Sequence, residues 1–147
     1  MDALKLLTER YSEKKLSAPA PNKQQLTQIF QAALRAPDHG KLQPYRFIVI
    51  EQDQMTEFSG LLKSAVHELN LGEERLKKAD DLATRAPMII GVVAKINPCI
   101  KKVPEWEQLL CAGCAAYAIQ LASNALGFKN VWISGPWLDG TDLREAF

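Results

Sequence analysis

Leu34-Arg35-Ala36-Pro37-Asp38-His39, followed after a short gap by Gln43-Pro44-Tyr45-Arg46-Phe47-Ile48-Val49-Ile50, changes backbone regime twice within one short span. Upstream, Asn22 reads as an N-cap with Gln25 three residues later as in a capping box, and Leu26, Ile29, Phe30, Ala33 and Leu34 recur at helical spacing. Pro37 lacks an N–H and crowds the preceding turn, so the helix stops there. From Tyr45 to Glu51 the residues alternate and are rich in β-branched and aromatic types, which predicts a strand. Helix, tight turn and strand therefore follow one another with almost no linker.

Further elements extend in both directions. Ala3, Leu4, Leu6 and Leu7 outline a short first helix running to about Arg10, and Pro19 and Pro21 hold a loop open after it. Beyond the strand, Asp53 reads as the cap of a helix whose apolar stripe is Met55, Phe58, Leu61, Leu62, Ala65 and Val66. A mostly polar helix follows from about Glu73 to Thr84. Pro87 to Ala94 is a continuous apolar strand expected to be covered on both faces, and Asn130 to Ser134 reads as another, ended by Gly135-Pro136. Thr141 or Asp142 opens a last helix of less than two turns before Phe147. Helices of unequal length around a small sheet predict an α+β fold, in a single domain over residues 1–147.

Between the last two strands, Leu109 to Phe128 contains no charged residue and approaches the length of a membrane span. Its Ala and Gly content, its Gln120, Ser123 and Asn124, and the opening Pro104-Glu105-Trp106-Glu107-Gln108 favour a buried helix. Glu105 and Glu107 suit its positive end, and Gly127 a C-terminal stop. The segment is apolar all round, so one side can pack on its own sheet while the small residues Ala112, Gly113, Ala115, Ala116 and Ala122 admit a second helix, which predicts a homodimer.

Composition narrows the partners. The chain has 147 residues, 47% hydrophobic, with a formal charge of +1, which gives no electrostatic footprint for nucleic acid or an anionic membrane. The N-terminus has no basic region followed by a long apolar stretch, so the cytoplasm is the expected compartment. Cys99, Cys111 and Cys114 fit a reducing environment better than a disulfide scaffold. Cys111-Ala112-Gly113-Cys114 has redox spacing, but it sits inside the apolar segment rather than at an exposed helix start, so two small core residues on one helix face is the plainer reading. His39 and His67 do not complete a metal site with them.

Arg10-Tyr11-Ser12, read together with Ala36-Pro37-Asp38-His39 and Gln43-Pro44-Tyr45, resembles the nitroreductase family of flavin enzymes, in particular the branch with Ala-Pro-Asp-His at the turn. The resemblance implies a nitroreductase-like fold: a central mixed sheet surrounded by helices, with the long buried helix at a homodimer interface. It also implies FMN held by dispersed short contacts. Arg10 is placed on the phosphate, Ser12 on phosphate or ribityl oxygens, and Tyr11 by its main chain. Arg35 and His39 are placed on the flavin, as is the backbone of Val131, Trp132 and Ile133. Leu121, Ala122, Ser123, Asn124, Ala125 and Leu126 are placed at the NAD(P) site. Tyr11 stands where a second Arg is common, which removes one positive charge. Read without the family, Arg10 is a cation closing a helix, His39 a solvated turn residue and Trp132 a core aromatic.

Flavin carries the chemistry in such enzymes, so no catalytic side chain and no metal are expected. The implied function is hydride transfer from NADH or NADPH through FMN to a small nitroaromatic or quinone-like acceptor, by a ping-pong sequence. A non-catalytic flavin-binding or dimerising protein on the same scaffold is the alternative, and a CxxC thiol-redox module is a more distant one. Family members continue through several further elements, including a last strand and a tail around the partner subunit, so the chain is expected to lack its C-terminal elements.

Overall fold

The computed structural model describes residues 2–147, which form six helices and two strands. In chain order these are α1 (Ala3–Glu9), α2 (Lys23–Ala33), β1 (Tyr45–Ile50), α3 (Met55–Glu68), α4 (Glu73–Thr84), β2 (Ile89–Ala94), α5 (Glu105–Ala125) and α6 (Thr141–Ala146). The chain divides into two compact units. One comprises Met1–Glu13, Pro21–Phe47 and Val92–Val131, and the other Lys14–Ala20, Ile48–Gly91 and Trp132–Phe147.

In the first unit α1 and α2 pack on α5. The predicted capping box opens α2: Asn22 Oδ1 accepts from Gln25 N and Gln25 Oε1 from Asn22 N, both at 2.9 Å. Ile29 and Ala33 are buried, and Phe30 stacks on Phe47 with ring centroids 5.3 Å apart. At the start of α5 the buried Gln108 is fully used. Its Oε1 accepts from Asn97 N at 2.8 Å, and its Nε2 donates to the carbonyls of Asn97 at 3.0 Å and Val103 at 2.9 Å. Such satisfaction offsets the cost of burying an amide. At the other end Gly127, at φ +92, closes a Schellman motif: its N–H donates to Asn124 O, and Phe128 N–H to Ser123 O. The stop expected at Gly127 is where the chain turns.

Two of the small residues expected to admit a second helix, Ala112 and Ala115, are buried within the chain instead. Gln108, Cys111, Ala112, Ala115, Ile119 and Ser123 are buried, whereas Trp106, Leu109, Leu110 and Tyr117 are exposed. One face meets the helices of its own unit and the other remains open, because a single chain supplies neighbours on one side only. Cys114 is accordingly exposed while Cys111 is buried, so the pair does not share a core face.

In the second unit Phe58, Leu62, Ala65, Ala79, Ala83, Trp137 and Leu143 form the centre of a core carried by α3, α4, α6 and the 3-10 turn Pro136–Asp139. Helix α4 has the predicted bounds. Asp53 is not the cap of α3: Gln52–Gln54 form a 3-10 turn whose capping box is Glu51 with Gln54, and α3 begins at Met55. Nor does Thr141 or Asp142 cap α6. Gly140 occupies that position, and the carboxylate of Glu68 reaches over from the end of α3 to take the Thr141 N–H and hydroxyl.

The sheet is two-stranded, β1 beside β2. Lys95 N–H, just past β2, donates to the carbonyl of Pro44, just before β1, so the strands run antiparallel. Every residue of β2 is half-buried, so it lacks the complete cover expected. The strand predicted at residues 130–134 does not form. Its first residue is instead tied to α5, Asn130 Oδ1 accepting from Gln120 Nε2 and Asn130 Nδ2 donating to Gln120 O. Strand-forming residue types cannot make a strand without a ladder partner.

Candidate functional site

Arg10 ends α1 by leaving helical geometry, with ψ 139, which turns the following residues away from the helix. Its Nη2 donates to Ser12 Oγ at 3.3 Å, and its guanidinium carbon lies 5.9 Å from the ring centre of Tyr117 on α5. Its Nε is buried with no hydrogen-bond partner. Lys129 Nζ stands 4.3 Å from the ring centre of Tyr11, and Glu13 N–H donates to Asn130 O at 3.0 Å. Residues 10–13 thus meet residues 129–130: the guanidinium lies beside the Ser12 hydroxyl, and the ammonium lies over the ring of the intervening Tyr11. Among the described residues neither Arg10 nor Lys129 is in an ion pair.

A buried donor left unpaired costs about 1–3 kcal/mol. An anionic oxygen would satisfy Arg10 Nε, and a phosphate group offers several together with the charge that an arginine fork complements. The residues at this end of α1 therefore fit the phosphate of FMN.

The turn after α2 is pinned by Asp38. Its Oδ1 accepts from Leu42 N at 3.1 Å and its Oδ2 from Gln43 N at 2.8 Å. These bonds hold Gly40, Lys41 and Gln43 at φ +77, +53 and +46, a left-handed region that costs a non-glycine residue about 1–2 kcal/mol. His39 projects from this turn and its Nδ1 lies 2.7 Å from Glu107 Oε1, in the first turn of α5. With that nitrogen facing a carboxylate, Nε2 is the ring nitrogen left to a further partner. The Arg35 side chain is exposed. Burial, the Asp38 carboxylate and Cys114 push the Cys111 thiol up to about 11, the reverse of what a thiol nucleophile needs. Burial first, then Cys111 and Asp38, raises the Tyr45 hydroxyl as well.

Arg10 and Ser12 are thus brought together, and Tyr11 is paired with Lys129. Among the described residues, no hydrogen bond, ion pair or ring contact joins Arg35 or His39 to Arg10, Tyr11 or Ser12. In the stretch Leu121 to Leu126, Ser123 Oγ donates to Ile119 O at 2.7 Å and Asn124 Nδ2 to Gln120 O at 3.0 Å, so the two polar side chains bond their own helix. Val131 closes the first unit. Trp132 and Ile133 open the last segment of the second, and Trp132 is 55% exposed rather than a core aromatic. Sequence reading missed Glu107 as a partner of His39, and it missed Lys129. Glu107 carried a signal only as an acid in a helix's first turn, and Lys129 carried none, since a lone surface lysine has no period.

A profile of the nitroreductase family matches residues 7–147. The chain belongs to the nitroreductase family. It is 66% identical over its full 147 residues, spanning 80% of the relative's length, to a Haemophilus influenzae protein named "Putative NAD(P)H nitroreductase". Among solved structures, a nitroreductase-like family protein from Bacillus cereus superposes with a TM-score of 0.83 at 19% identity, over 99% of this chain and 76% of that one. A nitroreductase from Desulfovibrio desulfuricans, solved in complex with FMN, superposes with a TM-score of 0.70 at 24% identity, over 97% and 74%. The α+β nitroreductase-like fold and the oxidoreductase class follow from that membership.

Proposed function

We propose that this chain, one domain of the nitroreductase family, is an FMN-dependent oxidoreductase that takes hydride from NADH or NADPH and delivers electrons to a small nitroaromatic or quinone-like acceptor. The observation that carries the reading is the buried, unpartnered Nε of Arg10, beside the Ser12 hydroxyl, in a chain of this family. The relative's name and the FMN complex of the Desulfovibrio protein support the choice of cofactors. Bound FMN supplies the hydride and electron transfer. The chain's task is then binding and orientation. Arg10 and Ser12 hold phosphate, Tyr11 contributes its main chain, and Arg35 and His39 contact the flavin, His39 through Nε2 while Glu107 holds Nδ1. Val131 and the main chain of Trp132 and Ile133 after it contact the same cofactor. Leu121, Ala122, Ser123, Asn124, Ala125 and Leu126 offer the nicotinamide an apolar helix surface, with Ser123 and Asn124 already engaged.

Donor and acceptor use one face in turn, so the kinetics are ping-pong. The enzyme works in the cytoplasm as a homodimer through the open face of α5, supported by Trp106 and Leu110, exposed at 63% and 60%. The test is the visible spectrum of protein reconstituted with FMN, without oxygen, before and after NADPH and then NADH. Bound flavin that bleaches supports the reading, and parallel double-reciprocal lines with a quinone support the shared face. Retained flavin that neither donor bleaches overturns the enzymatic reading in favour of a flavin-binding role.

A further inference from the structure

We propose that Lys129 binds the cofactor's phosphate, bringing to Arg10-Tyr11-Ser12 the positive charge that Tyr11 does not supply. The inference rests on the FMN reading above and adds a residue to it.

Three contacts fix where Lys129 stands. Gly127, at φ +92, ends α5 and reverses the chain two residues before it. Immediately after it, the main-chain carbonyl of Asn130 accepts from Glu13 N–H at 3.0 Å, and the Asn130 side chain is bonded twice to Gln120. The ammonium itself lies 4.3 Å from the Tyr11 ring centre, well inside the distance at which a cation is attracted to an aromatic face. A lysine held by a ring differs from one held by a carboxylate. The ring carries no net charge to offset the ammonium, and the N–H groups that do not face the ring can still donate to an oxyanion.

The ligand this arrangement suits is a phosphate monoester. Such a group carries about 1.5–2 negative charges near neutral pH, against the two cations Arg10 and Lys129, with the Ser12 hydroxyl as a further donor and Arg10 Nε awaiting an acceptor. Of the two acids that flank the run, Glu9 lies 4.0 Å from Lys5 Nζ, and Glu13 donates its backbone N–H to Asn130 O, which holds the two segments together. Tyr11 therefore acts as a rest for a cation supplied from the far end of α5. Neither position is informative alone, since the aromatic residue and the lysine are distant in sequence.

Equilibrium titration of the protein with FMN and, separately, with riboflavin, which lacks the phosphate, tests this directly. Lys129→Gln is expected to weaken FMN binding about tenfold, the loss of one charge-assisted contact, and to leave riboflavin within twofold. Lys129→Arg is expected to restore most of the FMN affinity, and raising the salt concentration to shrink the difference between wild type and Lys129→Gln. Tyr11→Leu, which removes the rest but not the charge, should give a smaller loss confined to FMN. Unchanged FMN affinity in Lys129→Gln overturns the proposal, and so does a parallel loss of both flavins, which would mark a structural role. A wild-type protein that binds both flavins equally overturns the phosphate grip while sparing the flavin reading. One that binds neither overturns the FMN reading and this inference with it.

Discussion

Glu68 caps a helix to which it does not belong: its Oε2 accepts the backbone N–H of Thr141 at 2.8 Å and its Oε1 the Thr141 hydroxyl at 2.5 Å. The first N–H groups of any helix lack internal partners, and the residue before α6 is Gly140, which has no side chain to offer. Glu68, at the last residue of α3, supplies the acceptor and so ties the end of one helix to the start of another.

The first prediction concerns this cap. The two bonds from Thr141 lower the Glu68 carboxyl below its ordinary value of 4.5. A carboxyl depressed in the folded state contributes stability above its unfolded value and loses it as pH falls through the folded one. Hydrogen exchange of the α6 amides should therefore quicken as pH drops below about 4.5, after correction for intrinsic rates. Glu68→Ala should show the faster exchange already at pH 7, with the α2 and α5 amides unmoved. Protection in α6 that is indifferent to both changes would remove the cap from the account.

Gly140 is needed for a second reason. A Cβ there would sit 2.3 Å from the Cβ and 3.0 Å from the Cα of Ala65, so α3 passes directly against it. Its φ of −65 is open to any residue, so the constraint is steric rather than conformational. Gly140→Ala should destabilise the protein by about 2 kcal/mol, read as an earlier denaturation midpoint with unchanged slope. Ala65→Gly in the same chain should return part of the loss by removing the atom struck. If Gly140→Ala unfolds at the wild-type midpoint, the close approach does not hold.

Local signals were legible in proportion to how local their causes are. The Asn22–Gln25 box, the bounds of α4 and the Gly127 turn each depend on residues within one or two turns, and each stands where the sequence puts it, whereas α2 ends at Ala33, ahead of the stop expected at Pro37. The start of α6 depends on Glu68, far earlier in the chain, and no periodicity reports it. The segment 130–134 has strand composition, but a ladder needs a neighbour that composition cannot guarantee. The same holds at the candidate site. Arg10 and Ser12 are two residues apart and were found by motif, whereas the contacts of Tyr11 with Lys129 and of His39 with Glu107 exist only after folding. The apolar stretch of α5 gave the helix and its two sides but not which residues form each, because residues that are apolar all round carry no amphipathic signal.

Thiol chemistry separates the oxidoreductase reading from a CxxC module. Cys99 and Cys114 are exposed, and Cys111 is buried with its thiol pushed up to about 11. At pH 8 a disulfide reagent should titrate Cys99 promptly in native protein and Cys111 only on denaturation, with Cys114, on the open face of α5, reacting in the dissociated chain. A raised thiol value contributes stability that is fully present below the unfolded value near 9 and is lost as pH rises toward 11. Alkaline unfolding should therefore be shallower in Cys111→Ala between those limits. Prompt reaction of Cys111 together with Cys114 would revive the redox pair.

The open face of α5 makes the last prediction. Trp106, Leu110, Cys114 and Tyr117 are exposed and follow one another at spacings of three and four, which places them on one stripe, and Leu109 is exposed beside it. An apolar stripe of this kind left in water favours association, and Gly113, whose added Cβ would meet nothing within 4 Å, leaves room for close approach of a second helix. A two-fold interface meets each side chain with its symmetry mate's surroundings, so one charge introduced per chain is buried twice. Leu110→Glu should weaken the dimer at least tenfold by sedimentation equilibrium, since each desolvated carboxylate costs several kcal/mol unless paired. Leu110→Met, which keeps the apolar surface, should leave it intact. The helix content of both variants should match wild type, because position 110 faces away from the core of its own unit. A wild-type chain that sediments as a monomer at every concentration, or a Leu110→Glu dimer as tight as the parent, would mean that this face serves something other than a second copy.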